Sequence, residues 1–285
     1  MRHSVILFLL LLTACSGIKQ PVQPSAKLEA DNQLNFAMNL EDYGDFEGAK
    51  QSYLLAADMY SSFAEPHGRL ACHSGLARTA WMESDSTAFY LHKHKMELLI
   101  NETAPQLSYY LLMLNIFKLQ QTGDYYTISN ITIPSQDLPV AEKLQLTTAK
   151  LQAESYLRTA SNSSAIALKK LAQKYQKLFN KGKEADYEPL SSAWYALAYH
   201  YYIQRDYATA IKYLDTVCDW DYRYGNFSAL GHALWLKGQV LAANNNTGGA
   251  LASFRRAESI FSTTRDSTSL QAVQSEISKL KGGKP

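Results

Sequence analysis

The chain has 285 residues, 46% hydrophobic and 19% charged, with a formal net charge of +2 and three cysteines. This composition excludes a disordered chain and a disulfide-dense miniprotein, and it suffices for one large domain or a continuous solenoid. The near-balanced charge reads as lacking a basic stripe, so nucleic acid is not an expected partner.

The first element is an amino-terminal segment. Met1-Arg2-His3 leads into the apolar residues 5–12 and then the run Leu12-Thr13-Ala14-Cys15. The apolar stretch is too short to span a bilayer as a helix. The arrangement resembles the signal peptide and lipobox of bacterial lipoproteins, which are cleaved just before a cysteine that then carries acyl chains. That resemblance implies a signal peptide at 1–14, lipidation at Cys15 and a lipid anchor to a bacterial membrane. Ser16, in place of an aspartate, resembles the class sorted to the outer membrane facing the periplasm. Acyl chains would supply the anchoring, at roughly 0.8 kcal/mol per buried methylene. Residues 15–27 are polar, contain Pro21 and Pro24, and read as an extended tether.

From residue 28 to residue 281 the pattern is helical, with Ala, Leu and Tyr at helical spacing and little strand-like alternation. Polar breaks recur at 43–45, 121–124, 161–163, 204–206 and 244–248, so the chain reads as a series of helical hairpins. Residues 107–119 are apolar but interrupted by Ser108, Asn115 and Lys118, and read as a buried helix. Residues 191–217 carry Trp194, Leu197, Ala198 and Tyr201, then Tyr207, Ala210, Leu214 and Val217. This spacing resembles the tetratricopeptide repeat, a 34-residue helical hairpin in which small residues let two helices approach closely. The template also fits 231–257 (Leu234, Gly238, Ala250, Phe254, Ala257) and 30–56 (Phe36, Ala37, Leu40, Ala49, Tyr53, Ala56). Weaker copies lie at 109–128 and 146–172, and 66–100 supplies a degenerate hairpin. The expected fold is all-α: a tetratricopeptide-like solenoid of about five to six irregular repeats, closed by a capping helix at 267–281. Residues 218–227 read as an insertion beyond the repeat period.

Chemistry is sparse in the sequence. H-E-x-x-H, G-x-S-x-G and P-loop patterns are missing, and His92 and His94 point to nearly opposite sides of a helix. No metal site, cofactor or catalytic residue is expected, and the chain reads as a non-enzyme. Asp219-Trp220-Asp221 begins like a calcium loop, but Arg223 and Tyr224 spoil the ligand pattern, leaving a solvated loop. Cys72 and Cys218 are either a disulfide or two buried thiols.

In tetratricopeptide proteins the first helix of each hairpin lines a concave groove. The resemblance therefore points to Tyr195, Tyr199 and Tyr202 as a partner-binding stripe, joined by Trp235, Gln239, Tyr110, Met113, Phe117, Leu34 and Met38. Tyrosine and tryptophan are what binding hot spots favour, although aromatics at helical spacing equally read as core. The expected function is a membrane-anchored scaffold that binds an envelope protein or peptide segment in assembling an envelope complex. The alternative is a surface lipoprotein that binds a glycan or another ligand.

Overall fold

The computed structural model describes residues 25–134, 138–184 and 186–282. Thirteen α-helices follow one another: α1 (Ser25–Asp42), α2 (Phe46–Ser62), α3 (Pro66–Met82), α4 (Ser86–Thr103), α5 (Tyr109–Gln121), α6 (Tyr125–Ser129), α7 (Val140–Tyr156), α8 (Asn162–Phe179), α9 (Glu188–Ile203), α10 (Tyr207–Tyr224), α11 (Phe227–Ala243), α12 (Thr247–Thr264) and α13 (Ser267–Gly282). There is no strand among the described residues. The fold is a helical-hairpin solenoid: six antiparallel pairs, α1/α2 to α11/α12, with α13 packed against α12 as a cap.

One joint, used repeatedly, builds this path. A residue with positive φ (Gly44, Ser84, Gly123, Arg205, Gly225, Asn245, Arg265) ends one helix, and the next residue caps the following one. The cap is Asp45, Asp85, Asp124, Asp206, Asn226, Asn246 or Asp266. Its carboxylate or amide oxygen accepts the N–H three residues on, as in Asp85 with Ala88 (2.9 Å), Asp206 with Thr209 (3.1 Å) and Asn246 with Gly249 (2.9 Å). The cap's own N–H returns to a carbonyl five residues back, as from Asp206 to Tyr201 at 2.9 Å. Each joint satisfies groups that both helix ends leave open, and each cap contributes about 1 kcal/mol.

Glycines on first helices receive aromatic rings from second helices. A Cβ added at Gly75 of α3 would lie 2.2 Å from the Tyr53 ring of α2, and one at Gly238 of α11 would lie 2.4 Å from Phe254 of α12. Only a hydrogen at these positions permits such close approach. The first helices form the inner wall: α3, α5, α7 and α9 all contribute to one inner recess through Arg78, Met113, Gln145 and Ser192.

The structure corrects several expectations. Residues 1–24, with the signal segment, Cys15 and most of the tether, lie outside the described residues. The tether ends earlier than expected, because α1 already begins at Ser25. Residues 219–221 are not a loop: they belong to α10, where Asp221 is fully buried. The residues at 218–227 therefore do not loop out: 218–224 complete α10, and Phe227 already opens α11. Cys72 and Cys218 are both free thiols.

Candidate nucleic-acid interface

Among the hairpins, α7/α8 stands apart in charge. No carboxylate occurs between Glu154 and Glu184, whereas Arg158, Lys169, Lys170, Lys174, Lys177, Lys181 and Lys183 fall in that span. Periodicity sorts α8 into two faces. Ala165, Leu168, Ala172 and Tyr175 are buried on the side that meets α7 and α9, and all six lysines are exposed. Lys170, Lys174, Lys177 and Lys181 follow one another at spacings of four, three and four, so the first three share a stripe and the last continues it past the helix end.

Solvated helix faces ordinarily mix signs, as α10 does with Lys212, Asp215, Asp219 and Arg223. Like charges four apart cost an isolated helix about 0.2–0.5 kcal/mol, partly offset near the C-terminus by the helix dipole. None of the six lysines forms an ion pair among the described residues, so their positive potential is not neutralised locally.

The helix is well held. Ser161 Oγ accepts the Ser164 N–H at 3.2 Å, and the Tyr175 hydroxyl donates to the Asp186 carbonyl at 2.7 Å. Phe179 packs 5.6 Å from Trp220 and 6.0 Å from Tyr224, fixing the end of α8 to α10. The α9/α10 pair carries a row of rings packed against the core: Trp194 stacks on Tyr213 at 5.5 Å, and Tyr213 stacks on Tyr201 at 5.7 Å. Burial raises the Tyr201 hydroxyl, with Tyr213 adding to it, and the Lys169 ammonium acts against that rise. A second row runs through Tyr125, Tyr156, Tyr199 and Tyr202, with centroid steps of 4.5, 4.9 and 6.2 Å.

The sequence-predicted groove residues fall into separate places. Tyr195, Tyr199 and Tyr202 pack against the core around α9, and the latter two belong to the second tyrosine row. Tyr110 stacks on Tyr109, while Met113 and Phe117 line the inner recess. Trp235 sits against Phe261 and His232, with no partner for its indole N–H among the described residues, and Gln239 is half-buried on the same helix. Leu34 packs into the α1/α2 core, and Met38 is exposed. Among the described residues, no group of three or more His, Cys, Asp or Glu is placed to hold a metal ion, and no helix is long and apolar enough to cross a membrane.

Residues 137–242 match the family described as "RdRP, head domain", the head domain of an RNA-dependent RNA polymerase. The match runs from α7 through most of α11, less than half of the chain, and contains the whole lysine stripe. No curated protein matches the chain. The match overturns the identification as a bacterial tetratricopeptide lipoprotein, with the signal and acyl-anchor features attached to it. It likewise overturns the envelope scaffold and its glycan-binding alternative, the lipid anchor as partner, the exclusion of nucleic acid and the non-enzyme reading, because the matched family is part of an RNA-synthesising enzyme. The signal that sequence reasoning missed was local: averaging charge over 285 residues hid the lysines between Glu154 and Glu184.

Proposed function

We propose that the α7–α11 segment is an RNA-holding helical module of the head-domain type, working as a component of RNA synthesis, and that α8 grips a single strand. The observation that carries this reading is the stripe of exposed lysines on α8, within the span similar to a polymerase head domain. Ammonium groups along a helix neutralise successive phosphates and release counterions, which supplies affinity without sequence preference. Rigid placement on a capped helix suits a holding role, since no loop must be ordered on binding.

The test is fluorescence anisotropy with a labelled oligouridine of about twenty nucleotides, which lacks stable secondary structure. The native chain is expected to bind in a salt-dependent manner. Lys170→Gln/Lys174→Gln/Lys177→Gln/Lys181→Gln alters only exposed side chains and is expected to weaken binding at least tenfold while circular dichroism stays unchanged. Equal affinity of the folded variant and the native chain would refute the assignment.

A further inference from the structure

The two ends of the superhelix approach each other and enclose a second feature. The α1–α2 turn, the C-terminal end of α5, the start of α9, the α10–α11 turn and the α12–α13 turn together line a cavity of about 1150 Å3. Its carboxylates come from separate elements: Glu41 and Asp42 from α1, Glu188 from α9 and Asp266 from the cap of α13. Arg265 is the only cationic residue among its described lining residues. Glu41 is already engaged, accepting Arg78 Nε at 2.8 Å and Nη2 at 2.7 Å. Glu188 has no ion pair among the described residues, while Asp42 feels the Arg78 guanidinium that Glu41 holds. Burial raises both, with Glu188 reaching about 7 under the added influence of Asp186 and Asp42.

The walls are aromatic and open to solvent: Tyr43, Tyr224 and Phe227 are each roughly half exposed or more. Tyr187, which stacks on Tyr224 at 4.3 Å, is 8% exposed, and among the described residues its hydroxyl makes no well-formed hydrogen bond, with only the Asn226 amide acting on it. Asn226 beside it directs its amide N–H to Glu188 at 3.3 Å and its carbonyl oxygen to the Ala229 N–H at 3.0 Å. A buried hydroxyl without a well-formed hydrogen bond, in the wall of a cavity, is a group that a ligand can satisfy.

We propose that this cavity binds a linear organic polycation, ammonium groups joined by apolar methylene segments, with Asp42, Glu188 and Asp266 as charge stations and Tyr43, Tyr224 and Phe227 as the walls. The carboxylates do not converge as a metal site requires, so an extended cation fits them and a point charge does not. The volume exceeds what a single amine fills and lies at the upper end for small-molecule sites. Rings flanking the acids suit both the methylenes and the ammonium groups. The chain already uses this chemistry on itself: Lys118 Nζ lies 5.2 Å from the Trp81 ring, 5.8 Å from Phe89 and 5.2 Å from Tyr90.

Isothermal titration of the full chain with spermidine, at constant ionic strength, tests the proposal. One saturable site is expected, weakened at least tenfold in Asp42→Asn/Glu188→Gln and unchanged in the four-lysine variant described above. The uncharged 1,8-octanediol is expected to give no saturable heat. Absence of saturable spermidine binding would overturn the proposal, as would equal binding by the folded double variant. Magnesium chloride competing with spermidine charge for charge would overturn it too, by reducing the effect to counterion screening. Asp42→Asn alone, at the last residue of α1, keeps the test available should the double variant misfold.

Discussion

The amino-terminal hairpins α1–α4 and the pair α7/α8 are built with the same helical-hairpin geometry, yet they spend their charges differently. In the first region charges are paired inward. Arg78 of α3 clamps Glu41 of α1, the Tyr53 hydroxyl donates to the same carboxylate at 2.5 Å, and the Tyr60 hydroxyl donates to Asp31 at 2.6 Å. These bonds tie three helices together. On α8 the lysines face solvent, and the helix itself carries no acidic residue. The contrast indicates that the joints and buried faces carry the fold, while the outward charge pattern carries the function.

The largest break of this comparison is expected at Arg78. Arg78→Met leaves Glu41 partly buried without its counterion and should cost about 2–4 kcal/mol, discounted for the residual solvent access of the guanidinium. Denaturant unfolding measures it, and RNA affinity under native conditions should not change. A matching loss of RNA affinity in the still-folded protein would mean that the two regions are not separable.

A smaller, pH-dependent difference should distinguish the two halves. His73 and His92 lie with their Nδ1 atoms 3.4 Å apart on α3 and α4. Burial pushes both down to about 4, and the neighbouring His92 charge adds to the effect on His73. The unfolded chain takes up protons as pH falls through 6.5, whereas the folded chain does so only near 4. This contribution is therefore complete above about pH 6.5, fades between 6.5 and 4, and is constant below. After discounting for solvent around His92 it amounts to about 2 kcal/mol. Asp221 and Glu188 act with the opposite sign: burial raises them to about 6 and about 7, so they favour the folded state as pH falls toward the ordinary carboxylate range. Hydrogen exchange should show α3 and α4 opening more readily at pH 4.5 than at 7, with α9 and α10 unaffected or more protected. Uniform loosening would contradict the assignment.

The smallest expected effect is at a joint. Asp206→Ala removes the acceptor for the Thr209 N–H and should cost about 1 kcal/mol, with no change of helix boundaries.

Much of the fold was legible because the joints are local. Gly44-Asp45, Gly123-Asp124 and Arg205-Asp206 announce themselves as breaks, and Leu270, Val273 and Ile277 at helical spacing mark the cap. What sequence reasoning missed depends on context. Asp219-Trp220-Asp221 looks like a loop, but Asp221 is kept inside α10 by the Ser191 hydroxyl, which donates to it at 2.7 Å. The tyrosines of α9 share a helix face, and the superhelix packs them partly buried against the core around that helix. The acidic cavity brings together positions 42, 188 and 266, which only closure of the solenoid makes neighbours. The lysine stripe was within reach, had charge been counted helix by helix.

The most direct test of the central claim is the salt dependence of oligouridine binding, compared between the native chain and the four-lysine variant. If the four lysines each neutralise a phosphate, the slope of log affinity against log salt should shrink by about 3 in the variant. An unchanged slope would contradict the account, because the phosphates would then be held elsewhere than on α8.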